Sequence, residues 1–283
     1  MRYLSAVLWF SLSLVASCAN DAITKYVAER LHPWEIAFCR FLWGALTILP
    51  LMLYQGRKSF KTHRPLLHLG RGTVLFIATS LWIQGVNVAS ITTATIMSFA
   101  VPIFVLLLAP ILLQERITWP TWLATLVGFA GTMLALRPQA SSFNSTSLYF
   151  LLASMLFGLL DIINKRYVAQ EPTLCTLFHT TLVAAVLVAL PASHVWRTPS
   201  RYELLWLLAL GGGGNLILYL LLRAFAIAEA SSLAPFRYLQ LLIATGIDCF
   251  LFQELPKIHS YLGATLIILC TLFVGYQQRA ESK

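Results

Sequence analysis

Apolar runs recur from one end of this chain to the other, and each is near the ~20 residues a helix needs to cross a ~30 Å hydrocarbon core. Hydropathy and turn residues place them at 4–26, 33–54, 68–88, 92–113, 120–136, 147–168, 172–192, 203–228, 232–253 and 258–276. Of the 283 residues 58% are hydrophobic and only 11% charged, whereas a soluble domain is about one quarter charged. No stretch of soluble-domain size lies outside the runs. The sequence therefore predicts an all-α integral membrane protein of ten transmembrane helices. Most links are a handful of residues, so successive helices must be antiparallel. The longest links are the basic 55–67 and the Ser-rich 137–146.

The formal charge of +9 does not point to nucleic acid. Lys and Arg collect in short loops, chiefly Arg57, Lys58, Lys61, Arg64 and Arg71, with no basic, aromatic-studded surface to follow a phosphate backbone. They read instead as topology determinants. With the N-terminus inside, eleven Lys and Arg fall on the inner side and six on the outer, while Arg40, Arg223 and Arg237 lie within spans. This bias puts both termini in the cytoplasm. The five cysteines, Cys18, Cys39, Cys175, Cys249 and Cys270, are scattered without CxxC or a Cys/His metal spacing, so no disulfide framework and no metal are expected. Val15-Ala16-Ser17-Cys18 looks like a lipoprotein cleavage box. Cleavage there would remove a helix that has a counterpart later in the chain, so the segment is kept as the first span.

That counterpart belongs to an internal repeat offset by about 140 residues. Asp21-Ala-Ile-Thr-Lys25 is echoed by Asp161-Ile-Ile-Asn-Lys165, Thr92-Thr93-Ala94 by Ser231-Ser232-Leu233, Gln114-Glu115 by Gln253-Glu254, and Ala124-Thr125-Leu126 by Ala264-Thr265-Leu266. The order is the same in both halves, which divides the chain into five-helix units at 1–137 and 138–283. An odd number of spans per unit inserts the second copy upside down. Such inverted repeats place a site at their interface near the midplane and allow one half to rock against the other. The expected activity is transport. There is no P-loop, HExxH or GxSxG pattern, so neither an enzyme nor a bound cofactor is expected; a membrane assembly subunit is a remote alternative.

Ionisable groups within spans are costly and so are candidates for the site. Asp161, Asn164 and Lys165 share one face of span six, at i, i+3 and i+4; an intrahelical Asp161–Lys165 pair is the competing reading. Trp9, Ser13, Ser17, Asn20 and Asp21 form a stripe on span one, where small hydroxyls also permit close packing. Glu35 opens span two and Arg40 lies five residues on, about 140° around the helix, so the two are not expected to pair. In span eight, Gly211, Gly212, Gly213 and Gly214 suggest an unwound or hinged segment, with close helix packing as the alternative. Asn215, Tyr219 and Arg223 then follow on one face. Arg237, after Pro235 and beside Tyr238, could snorkel to the surface or grip a carboxylate. Trp82 and Phe99 join these as aromatics, with packing as their alternative role.

The duplicated unit, Arg40 within span two, and Pro102 followed by Glu115 at the end of span four resemble the EamA-type branch of the drug/metabolite transporter superfamily over essentially the whole chain. The second copy departs from the pattern, with Leu241 where the matching proline would stand, although Glu254 is kept. Ala19-Asn20-Asp21, Glu35 through Arg40, Thr92-Thr93-Ala94-Thr95, Leu160 through Lys165 and Ala234 through Leu239 are similar to bacterial S-adenosylmethionine uptake transporters. That resemblance implies inner-membrane import of S-adenosylmethionine, with exchange for S-adenosylhomocysteine as a further expectation. An exporter of amino acids or drugs on the same scaffold is the alternative. For such a zwitterionic substrate, Arg40, Arg223 or Arg237 would serve the carboxylate and Asp161 or Glu35 the cationic groups. Tyr219, Tyr238, Trp82 or Phe99 would stack on the adenine, and Asn20, Asn164 and Asn215 would supply amides.

Overall fold

The computed structural model describes residues 2–88, 91–136, 147–252 and 258–281. Among the described residues every regular element is helical: α1 (Arg2–Val27), α2 (Pro33–Gln55), α3 (Pro65–Val88), α4 (Ile91–Ser98), α5 (Val101–Leu112), α6 (Trp119–Leu136), α7 (Ser147–Tyr167), α8 (Thr173–Ser193), α9 (Arg201–Phe225), α10 (Ala230–Leu233), α11 (Leu239–Phe252) and α12 (Ile258–Glu281). Nine stretches within them are long and apolar enough to cross a membrane. The Ser-rich link 137–146 and the Gln253-Glu254 echo lie outside the described residues.

Local chemistry sets the ends. Pro33 sits in the first turn of α2, where its missing N–H costs nothing, and the His32 side chain accepts from Trp34 N while Glu35 reaches back to the His32 N–H at 3.0 Å. Ser200 and Glu203 close the same reciprocal cap on α9. Two predicted spans are not continuous. Span four divides into α4 and α5 because Pro102 would drive its ring against the carbonyl of Ser98, and α4 ends at that residue. Span nine begins as the single turn α10, passes through a 3-10 turn at Ala234–Tyr238 around Pro235, and resumes as α11. This broken segment is the one predicted span that yields no full-length candidate among the described residues.

The packing maps onto itself when the halves are exchanged. Helix α1 packs on α9 and, equivalently, α7 on α3; α2 packs on α9 and α8 on α3; α1 packs on α11 and α7 on α5. The pairs α2·α8 and α6·α12 are each their own counterparts. Small residues bring these helices together, as where Gly131 meets the backbone of Gly263.

The glycine run of span eight does not unwind the helix, which corrects the expectation of an opened segment: α9 is continuous through Gly211–Gly214. The glycines make room. A β-carbon at Gly211 would lie 2.6 Å from Gly44 N and from Trp43 Cβ; Gly213 faces the Asn20 amide and Gly214 faces Arg40, while Gly212 faces open space. Gly211→Ala is therefore expected to cost about 1–3 kcal/mol through overpacking. Gly212→Ala should instead stabilise by about 0.5–1 kcal/mol, the ordinary helical gain over glycine. Thermal midpoints in detergent check this; equal effects at both positions would return the run to a purely conformational role.

Candidate functional site

The 3-10 turn that interrupts span nine aims Arg237 across to α7, where its Nη2 donates to Asp161 Oδ2 at 2.6 Å. Asp161 is buried and Arg237 half-buried. The competing intrahelical pair does not form: Asp161 bonds Arg237 and not Lys165. The Lys165 ammonium donates instead to the carbonyls of Phe225 and Ala228, each at 2.7 Å, which neutralises the C-terminal end of α9. Asn164 lies buried on the same helix.

In the first half the repeat-equivalent carboxylate, Asp21, is exposed and accepts from Gln240 Nε2 at 3.4 Å. The same amide reaches Ser17 Oγ at 3.4 Å. The positive charge acting on Asp21 is Arg40 of α2, which is half-buried beside Gly214. Gln240 stands three residues beyond Arg237, so the broken segment carries both partners. Asp161–Arg237 joins α7 to span nine, and Gln240–Asp21 joins span nine to α1, with the Arg40 charge of α2 acting on Asp21. These elements come from both halves. A zwitterion entering between them would find a guanidinium for its carboxylate and a carboxylate for its cation.

Other sequence candidates have structural work. Glu35 is fully buried, holding the cap of α2 and accepting from the Arg197 backbone N–H. Asn20 donates to the Leu210 carbonyl at 3.2 Å, and Asn215 to Gly44 O at 2.6 Å and Thr47 Oγ1 at 3.0 Å; both bind helix to helix. Arg223 lies exposed over the Trp9 ring, 5.6 Å from its centroid, and Tyr219 on the same helix is exposed too. Trp82 meets Phe150 and Phe157 edge-on. Phe99 and Tyr238, equivalents under the repeat, stack on each other at 5.9 Å where the two broken spans meet. Neither face in that stack is a free platform for a base.

Sequence reasoning set Ser17 and Asp21 on one stripe but missed their partner Gln240, which gave no signal beyond lying one turn after Arg237. It also quoted Glu115 without assigning a role. Gln114 takes φ +60°, a left-handed turn that carries the chain out of α5. Glu115 then accepts from Ala230 N at 3.1 Å, Ser231 N at 3.0 Å and Ser231 Oγ at 2.6 Å. A carboxylate from the first half thus caps the start of span nine in the second.

A bundle of long apolar helices, with a buried charge pair and broken spans at the junction of two matching halves, is the build of a multi-pass membrane transporter. The EamA-like transporter family model matches residues 4–137 and 144–276. The chain belongs to that family. It is 45% identical over 278 residues to the S-adenosylmethionine uptake transporter of Rickettsia conorii, covering 98% of this chain and 94% of the relative. With the transporter of the same description from Rickettsia bellii it shares 44% identity, covering 97% of this chain and 95% of the relative. A solved crystal structure superposes with a TM-score of 0.85 over 99% of both chains at 18% identity, a likeness that shows the fold alone.

Proposed function

We propose that this chain imports S-adenosylmethionine across a bacterial inner membrane, by alternating access between two five-helix halves, 1–137 and 138–283, inserted in opposite senses with both termini cytoplasmic. The observation that carries the reading is the Asp161–Arg237 pair at 2.6 Å on the broken segment that also holds Gln240 against Asp21. The substrate's amino-acid end can exchange into that pair, its α-carboxylate replacing Asp161 on Arg237 and its α-ammonium facing Asp161. Asp21 is then the carboxylate available to the sulfonium. The two Rickettsia relatives named for the same solute support this choice. A solute of net charge +1 gains about 2.3 kcal/mol per 100 mV on entering a negative interior, which favours import without further coupling. Exchange for S-adenosylhomocysteine is the second element of the proposal.

The test is uptake of radiolabelled S-adenosylmethionine by bacterial cells expressing the chain. The expected result is saturable uptake, blocked by excess unlabelled S-adenosylhomocysteine but not by methionine or adenosine. Preloading with S-adenosylhomocysteine should stimulate it if exchange operates. Uptake no greater than in empty-vector cells, with folded protein in the membrane, would remove the substrate and leave the transporter.

A further inference from the structure

A second polar cluster lies apart from this site, at the end of the bundle where α3 and α8 begin. Cys175 and His179 are four residues apart and so share a face of α8; His68 comes from α3, and Glu171 from the link before α8. Donor atoms of His68, Cys175 and His179 all lie within 4.8 Å of one another. Cys175 Sγ is 3.3 Å from His179 Nδ1 and 4.0 Å from His68 Nε2, and Glu171 Oε2 is 3.5 Å from His68 Nε2. A tetrahedral zinc-type site, with metal–sulfur bonds of about 2.3 Å and metal–nitrogen bonds of about 2.0–2.1 Å, sets its ligand atoms about 3.3–3.6 Å apart. The Cys175 Sγ–His68 Nε2 separation is about 0.4 Å longer than such an edge, and Glu171 meets His68 from outside the three-residue group.

Three further features fit an ion. His68, Cys175 and Glu171 are buried, yet His68 Nδ1 and Glu171 Oε1 have no hydrogen-bond partner among the described residues. The His179 Nδ1 also lies 2.9 Å from the Cys175 carbonyl oxygen; an N–H donated there leaves Nε2 as the nitrogen free to ligate. Gly72, one turn beyond His68, faces Val183 so closely that a β-carbon would collide, which holds α3 against α8. The cation facing the cluster is Arg71. It donates to Thr176 Oγ1 at 3.2 Å and to the Ile163 carbonyl at 3.4 Å, and the Glu171 carboxylate offsets its charge.

We propose that His68, Cys175 and His179 form a binding site for one divalent transition-metal ion of the zinc type, with the Glu171 carboxylate beside His68 offsetting its charge. A sulfur and two imidazoles suit that class and not calcium or magnesium. An ion held there ties α3 of the first half to α8 of the second.

The test uses the purified full-length chain in detergent and does not depend on transport. Titration with Co2+ should give ligand-field bands and a thiolate-to-cobalt absorption that saturate at one ion per chain and are displaced by Zn2+. Cys175→Ser should lose the thiolate band while eluting as a monodisperse peak. His68→Asn, which keeps the thiol, should weaken binding at least about tenfold; it decides the matter if Cys175→Ser does not fold. No thiolate band in the wild-type chain, or the same band in Cys175→Ser, overturns the site.

Discussion

Asp161→Asn is expected to lower uptake about a hundredfold while the protein still reaches the membrane. The substitution keeps the size of the side chain and removes its charge, leaving the Arg237 guanidinium without the carboxylate it holds at 2.6 Å. Breaking a buried pair from one side costs about 3–5 kcal/mol, because the remaining charge stays buried and uncompensated. Arg237 keeps 20% of its side chain exposed and Asp161 10%, so the lower end applies, and about 1.4 kcal/mol per tenfold converts that to about a hundredfold. Arg237→Gln should match it. The double variant separates two roles. If the pair only holds span nine against α7, removing both charges restores most of the uptake, since replacing a whole buried pair is often neutral. If both groups meet the substrate, as proposed, the double variant stays as low as the singles. Arg223→Gln is the control: that guanidinium lies exposed over Trp9, and its loss should leave uptake near wild type. Wild-type uptake in Asp161→Asn would sink the site.

Much of this architecture is written in residue order. The spans follow from hydropathy because a backbone in hydrocarbon must satisfy its own hydrogen bonds as helix. The repeat was visible because Asp21 and Asp161, each followed by Lys four residues on, kept their places in both halves. What order does not show is which faces meet. Gly211–Gly214 read as a break because each glycine disfavours helix by about 1 kcal/mol against alanine, yet close contacts with α2 and α1 override that preference. Glu35 drew notice as a charge near a span, but three residues before it stands His32, and together they make a cap. Phe99 and Tyr238 looked like free aromatics until the two halves closed and set one on the other. Cys175 and His179 are four residues apart, but His68 lies 107 positions from Cys175, so the local spacing carried no sign of the cluster's third member.

Glu115→Ala is expected to cost about 3–5 kcal/mol of stability and most of the uptake. The carboxylate is buried and takes three hydrogen bonds, from two backbone N–H groups and the Ser231 hydroxyl. Hydrogen bonds to a charged group contribute about 1.5–3 kcal/mol each, and buried donors left unpaired forfeit their solvation as well. Alanine strands Ala230 N and Ser231 N at the start of a helix whose remaining length is a single turn, so α10 has little else to hold it. The damage does not stay there. Arg237 follows in the adjoining 3-10 turn, and its aim toward Asp161 depends on where that turn begins. Glu115→Gln should fall between wild type and alanine: one amide oxygen still accepts, while the amide N–H2 faces a donor. Thermal midpoints from size-exclusion after heating should order wild type above Gln above Ala, with uptake in the same order. An alanine variant that matches wild type in both would show that span nine holds its place without this carboxylate, and the network would then owe its geometry to the Phe99–Tyr238 stack and the Asp161–Arg237 pair.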